Sequence, residues 1–193
     1  MIESTQRAIA RLFGYTEWPT NTLLAREGDR SGEVFIVING RIDALNYTMA
    51  HDDGQGDDYE AADIVLLGVS RTSKTPTSVY LAHRGYRAAN IPLVKDVPLP
   101  EAIFKLRNPL VVGLTASPER IVQIRRNRLL SLNEASQTAY AEHERVEEEI
   151  RFARRMFADN NWPVIDVTRR SIEETAAAIM AVLREKEGEE PAL

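Results

Sequence analysis

With 193 residues, 44% of them hydrophobic, no cysteine and a net charge of −5, the chain can bury a sizeable core but cannot use disulfides, thiolate zinc sites or cysteine nucleophiles. The acidic balance gives no general electrostatic reason to bind nucleic acid or an anionic membrane, and no apolar run reaches the roughly 18 residues of a membrane span. Glu3, Arg7 and Arg11 interrupt any secretory leader, so a cytoplasmic location is expected.

Ile2, Ile9, Leu12 and Phe13 fall at near-helical spacing, so residues 4–13 read as a short amphipathic helix stopping at Gly14. The run from Glu33 through Phe35 to Ile38 reads as a strand closed by Asn39-Gly40. Ile42, Leu45 and Met49 then predict a helix over residues 41–50. It gives way to the acidic loop His51-Asp52-Asp53-Gly54-Gln55-Gly56-Asp57-Asp58. Asp52 or Asp53 reads as a general base or magnesium ligand; the competing reading is a solvated turn, where Asp and Gly are common. The alternating oxygen ligands and distant glutamate of an EF-hand are missing.

The apolar run Ile64-Val65-Leu66-Leu67 predicts a strand that leads into Gly68-Val69-Ser70-Arg71-Thr72-Ser73-Lys74-Thr75. This stretch meets the phosphate-loop pattern at every fixed place but one, Ser73 standing where the second glycine is expected. A strand end, a tight turn and a helix N-terminus together point backbone N–H groups at anionic oxygens. Lys74 is placed to reach the terminal phosphates of a nucleotide and the Thr75 hydroxyl to ligate Mg2+. A serine at position 73 restricts the loop's access to positive φ, so a turn differing in detail from the common one is expected. The plainer alternative is a Ser/Thr-rich strand-to-helix loop with an incidental lysine.

Pro76 fits the first turn of the following helix, which is expected to end at Gly85. Residues 89–94 read as a second strand, with Pro92 arguing for an edge. A short helix is expected over 99–106, and the continuously apolar residues 110–114 read as a third strand, buried on both faces as in parallel sheets. Ser117-Pro118 opens a helix carrying Arg120, Arg125, Arg126 and Arg128. Arg125 and Arg128, three apart, share a face and suit a phosphate clamp; a solvated basic face or a nucleic-acid contact surface fits the spacing as well. Four of the 24 basic residues are lysine, and the arginine bias also follows from genome composition. Residues 140–160 read as a long helix with one apolar stripe, Val146, Ile150, Ala153 and Phe157, more fitting for a core than a cofactor. Residues 163–168 read as a fourth strand ending near Asp166, a weak candidate for a magnesium-binding acid. Ser171-Ile172-Glu173-Glu174 is a capping box that opens the last helix.

The run from Gly68 to Val94, GVSRTSKTPTSVYLAHRGYRAANIPLV, resembles the signature region of the pyruvate, phosphate/water dikinase regulatory proteins, which are bifunctional serine/threonine kinases and phosphorylases. The stretches RIDALNYTMAHDDG, GLTASPERIVQIRRNR and WPVIDVTRRSIEETAAAI are similar to the same family. The resemblance favours function over turn chemistry for Asp52 and Asp53, and phosphate binding for Arg125 and Arg128. It implies transfer of phosphate from ADP to a threonine beside the catalytic histidine of a dikinase, and removal of that phosphate by inorganic phosphate with release of pyrophosphate. Pyruvate, phosphate dikinase is the expected partner, with phosphoenolpyruvate synthase as the alternative. A small-metabolite kinase and a non-catalytic arginine-rich binding module are the rival functions.

The expected architecture is a three-layer α/β P-loop kinase-like domain over residues 41–186 with a mostly parallel sheet and ligand at the strands' carboxyl ends. Residues 1–40 resemble the family little and read as a short, divergent or truncated N-terminal segment; residues 187–193 read as a fraying tail. If residues 1–40 leave the sheet uncovered, self-association, as in a homodimer, is expected, together with nucleotide binding that outlasts dikinase regulation.

Overall fold

A computed structural model describes residues 41–131 and 142–188 of the chain. The expected helix over 4–13, the strand over 33–38, the first residues of the 140–160 helix and the end of the tail lie outside the described residues. From Arg41 onward the chain forms one compact unit.

Its centre is a sheet of four parallel strands in the order β2-β1-β3-β4: β1 is Ile64–Gly68, β2 Ala88–Pro92, β3 Leu110–Thr115 and β4 Val164–Asp166. Leu66 lies between Asn90 and Val112, and Thr115 pairs with Asp166. Both central strands are buried throughout, which is why their sequences are apolar without alternation. Pro92 ends β2, the edge strand among the described residues, where its missing N–H is tolerated.

Helices cover both faces. α1 is Arg41–Ala50, α2 Lys74–His83, α3 Pro118–Ser131, α4 His143–Asp159 and α5 Ile172–Glu187. Val65, Leu67 and Val111 pack with Ile121 of α3 and with the stripe Val146, Ile150, Ala153 and Phe157 of α4. Ile64, Leu66 and Val112 pack on the opposite face with Leu81 of α2 and Ala176, Ile179 and Leu183 of α5. Strands with a helical layer on each side are the three-layer arrangement expected from the alternation of elements.

Two contacts fix the layers closely. A Cβ on Gly113 would stand 2.5 Å from the Phe157 ring, so the glycine lets α4 settle on β3. Phe157 is fully buried, and truncating it to alanine would cost about 3–5 kcal/mol. At the other face α5 begins with a complete capping box, the Glu174 N–H donating to Ser171 Oγ at 3.1 Å and the Ser171 N–H to Glu174 Oε2 at 2.8 Å.

The helix expected over 41–50 forms over those residues, its buried side chains being Ala44 and Thr48, while Ile42 and Met49 are 43% and 70% exposed. Small residues let α1 approach closely enough for Thr48 Oγ1 to accept the Ala88 N–H at 3.1 Å. The segment expected as a helix over 99–106 is a 3-10 turn, Glu101–Lys105, with only Ile103 fully inside. The fourth strand is confined to three residues. Among the described residues no helix is long and apolar enough to cross a membrane.

Candidate active site

The chain leaves β1 for β2 on one side and returns to β3 on the other, with α2 on one face of the sheet and α3 and α4 on the opposite one. Such a switch point opens a crevice at the strands' carboxyl ends, and residues 68–75 lie there. Gly68 ends β1 because a Cβ would come within 2.6 Å of Thr72 Oγ1 and 2.7 Å of the Leu114 carbonyl oxygen. Its role is close approach.

The loop turns through two left-handed residues, Arg71 at φ 77° and Ser73 at φ 59°. Ser73 therefore adopts the positive φ that the missing glycine would have taken freely, and α2 starts directly after it. The expected departure of the turn is a matter of strain in the serine, of order 1 kcal/mol, with the positive φ kept. The fully buried Thr72 hydroxyl donates to the Val69 carbonyl at 2.9 Å, and Lys74 Nζ donates to the same oxygen at 3.1 Å. Val69 is buried, Ser70 half-buried, and Arg71 exposed.

Lys74 is only 6% exposed. Burial pushes its ammonium down to about 8, the charges of Asp53 and then Asp52 pulling it back up and those of Arg125 and Arg71 adding to the fall. The acidic loop thus returns to the lysine across more than twenty residues of sequence. It does so through a 3-10 turn, Asp52–Gly54, in which Asp53 is left-handed at φ 52°. Thr75 Oγ1 donates to Asp52 Oδ1 at 2.9 Å, and Asn90 Nδ2 donates to the same oxygen. Asp52 is half-buried behind this contact, while Asp53 is exposed.

Aromatic rings brace the turn. His51 stacks on Tyr47 with ring centroids 3.9 Å apart, places Nδ1 2.8 Å from the Tyr47 carbonyl oxygen, and meets Tyr59 edge-on. The two hydroxyls close the loop by donating to backbone carbonyls, Tyr47 to Asp58 at 2.8 Å and Tyr59 to Gly54 at 3.2 Å.

The two arginines expected as a clamp separate. Arg125 is 1% exposed, reaches the Ser70 carbonyl at 3.4 Å and is held by Glu149 of α4. Arg128 is exposed near the end of α3 and has no part in the contacts that tie Arg125 to the loop. Asp166 ends β4 beside Thr115, at the carboxyl end of the sheet. Partial burial raises its carboxyl, but the Thr168 hydroxyl and N–H, with Arg154 and Arg170, outweigh that and hold it below the usual range. Thr168 Oγ1 in turn accepts the Ser117 N–H at 2.8 Å, so the Asp166 turn secures the start of α3. Of the four metal candidates, Thr75 and Asp52 are in contact at the loop. Hard oxygen donors on adjacent side chains beside a phosphate loop suit Mg2+, so Thr75 and Asp52 fit that ion.

Asn90 and Glu149 were not among the sequence candidates. Asn90 is a fully buried amide inside the apolar run 88–94, which is its signal; Glu149 adjoins the stripe residue Ile150. A cavity of about 490 Å³ lined by Leu106, Trp162, Pro163 and Val182 lies at the opposite, amino end of β3 and β4 and includes none of the loop residues.

A family profile described as kinase/pyrophosphorylase matches residues 23–180, beginning inside the segment that shows little resemblance by motif. Three curated proteins named "Putative pyruvate, phosphate dikinase regulatory protein" are similar to the chain. That of Maricaulis maris is 80% identical over 146 residues, 76% of this chain and 52% of its own length. That of Erythrobacter litoralis is 64% identical over 157 residues, 78% and 56% of the two chains, and that of Rhizorhabdus wittichii 63% over 170 residues, 88% and 62%. The chain spans about half the length of the curated relatives it matches. With the profile covering most of its residues and identities this high, the chain belongs to the kinase/pyrophosphorylase family.

Proposed function

We propose that this chain carries the phosphotransfer site of a pyruvate, phosphate dikinase regulator, which phosphorylates a threonine of the dikinase from ADP and removes that phosphate with inorganic phosphate. The observation that carries the reading is the meeting of two distant motifs: the acidic turn touches the phosphate loop, with Thr75 Oγ1 2.9 Å from Asp52 Oδ1 and Lys74 beside both aspartates. The names borne by the relatives supply the target. Loop backbone, Lys74 and Arg125 hold phosphate oxygens. Mg2+ bound by Thr75 and Asp52 would neutralise phosphate charge. A cytoplasmic setting, where ADP and the dikinase are both present, goes with this role.

The aspartates divide by exposure. A threonine on a large protein substrate arrives from solvent, so the exposed Asp53 is the general base, and the half-buried Asp52 serves the metal side. Asp53 takes the hydroxyl proton as the threonine oxygen bonds to the β-phosphorus of ADP; the bond from that phosphorus to the bridging oxygen breaks, and AMP leaves with its electron pair. In the other direction an oxygen of inorganic phosphate bonds to the phosphorus of the threonine phosphate, the bond from that phosphorus to the threonine oxygen breaks, pyrophosphate leaves, and the freed threonine oxygen takes a proton from protonated Asp53. Both directions draw on positioning and charge stabilisation.

The test is incubation with purified pyruvate, phosphate dikinase and ADP, followed by mass spectrometry of the active-site peptide, then addition of phosphate and assay of pyrophosphate. Threonine phosphorylation with AMP release, reversed by phosphate, is expected. Transfer to phosphoenolpyruvate synthase alone would move the target, and ATP turnover without any protein acceptor would make the chain a small-metabolite kinase.

A further inference from the structure

We infer that Asn90 is a positioning residue for this transfer, a single buried amide that fixes both aspartates of the acidic turn against the phosphate loop; the inference rests on the function proposed above. Asn90 is fully buried in the middle of β2, where the neighbouring residues are apolar. A buried amide is costly unless its hydrogen bonds are made, and a leucine would continue the apolar run. Three of its hydrogen bonds go to the turn and the residue before it. Nδ2 donates to Asp52 Oδ1, Oδ1 accepts the Asp53 N–H at 3.2 Å, and the backbone N–H donates to the His51 carbonyl at 3.1 Å. The partners dictate the orientation of the amide, since a carboxylate only accepts and an N–H only donates.

The two side-chain contacts have separate effects. On Asp52, Asn90 and Thr75 together occupy Oδ1, leaving the other oxygen as the one presented to the site. At Asp53 the bond is to the backbone of a left-handed residue, and it sets the direction in which that carboxylate leaves the turn. The turn is braced separately by the Tyr47–His51–Tyr59 rings, so loss of the amide leaves the fold standing. What changes is the aim of two carboxylates, and a displacement of about 1 Å at a reacting group can cost about 100-fold in rate.

The experiment compares the wild-type chain with Asn90→Leu, which fills the space without polar atoms, and Asn90→Asp, which keeps size and the acceptor for the Asp53 N–H but sets a carboxyl against Asp52 in place of the amide donor. For each, kcat and KM for ADP are measured in threonine phosphorylation of the dikinase, alongside the melting temperature and amide exchange over residues 52–54. The expected result is kcat lower by about 100-fold in both variants, a smaller rise in KM for ADP through Asp52, near-unchanged melting in Asn90→Leu and faster exchange in the turn. Variants that match the wild type in kcat, or lose kcat only in step with ADP binding and melting temperature, overturn the positioning role. A wild-type chain that transfers no phosphate overturns the functional reading, and this inference with it; an active wild type beside unaffected variants overturns this inference alone.

Discussion

Arg125 and Glu149 form a two-pronged ion pair, with Nη1 to Oε1 at 3.1 Å and Nη2 to Oε2 at 2.5 Å, and Arg125 is almost wholly out of water. The arginine proposed to hold phosphate is thus also tied into the wall between α3, α4 and the loop. Removing the charge of a carboxylate that faces a buried cation is destabilising, though Glu149 is 26% exposed and water takes up part of the loss. Glu149→Gln is expected to cost about 2 kcal/mol in urea unfolding. A loss below about 0.5 kcal/mol would mean that the pair behaves like an ordinary surface contact.

Lys74 gives the protein a pH signature. Burial holds its folded pKa at about 8, so between about pH 8 and its ordinary value of 10.5 the unfolded chain binds a proton that the folded chain lacks. Stability therefore rises with pH across that window, by up to about 1.4 kcal/mol per unit. Tyr47, held above its ordinary range by burial and by Asp58, opposes this only beyond pH 10. Urea midpoints at pH 7, 8 and 9 should climb in the wild type and lie flat in Lys74→Met. ADP affinity should run the other way, full below pH 8 and weakening above it as the lysine loses its charge.

The division of labour between the aspartates separates their variants. Asp53→Asn is expected to lower kcat of threonine phosphorylation about 100-fold or more with ADP binding intact, as for loss of a general base. Asp52→Asn, which alters the neighbour of Thr75, should instead weaken Mg2+-dependent nucleotide binding. Titration of a fluorescent ADP analogue with and without Mg2+, beside the transfer assay, reads both. The reverse assignment would show up as the opposite pairing of defects.

Ser73 holds a conformation that glycine adopts at no steric cost. Ser73→Gly removes roughly 1–2 kcal/mol of strain but adds freedom to the unfolded chain, for a net gain of about 0.5–1 kcal/mol in thermal unfolding. A loss of stability would mean that the serine hydroxyl makes up for its backbone.

What the sequence made legible is what depends on neighbours in the chain. Ile64-Val65-Leu66-Leu67 and residues 110–114 announce buried parallel strands by being apolar without alternation, and the stripe Val146, Ile150, Ala153 and Phe157 is buried as its spacing predicts. The capping box at Ser171 is a pattern of four residues and forms as expected. The helix over 41–50 is legible from periodicity, but its buried face is not, because close approach to β2 selects Ala44 and Thr48 rather than large side chains. Asn90 and Glu149 were missed for another reason. Their partners lie 38 and 24 residues away, and only the sheet order and the packing of α4 against α3 bring them together. The Asp166 carboxylate is engaged by Thr168, two residues on, a turn contact that the apolar strand pattern does not announce.

The strand that carries the phosphate loop lies between β2 and β3, though it is made before both. At roughly 5–20 residues per second, synthesis leaves roughly 2–9 s between the completion of Gly68 and that of Thr115. Through that interval Ile64-Val65-Leu66-Leu67, uncharged on either face, lacks its β3 partner. A short, uncharged, β-prone segment with an open edge is the kind that joins another nascent chain. The yield of usable protein from a cell should thus follow the expression temperature and the supply of chaperones that shield this one strand, and show little relation to the melting temperature of the finished fold.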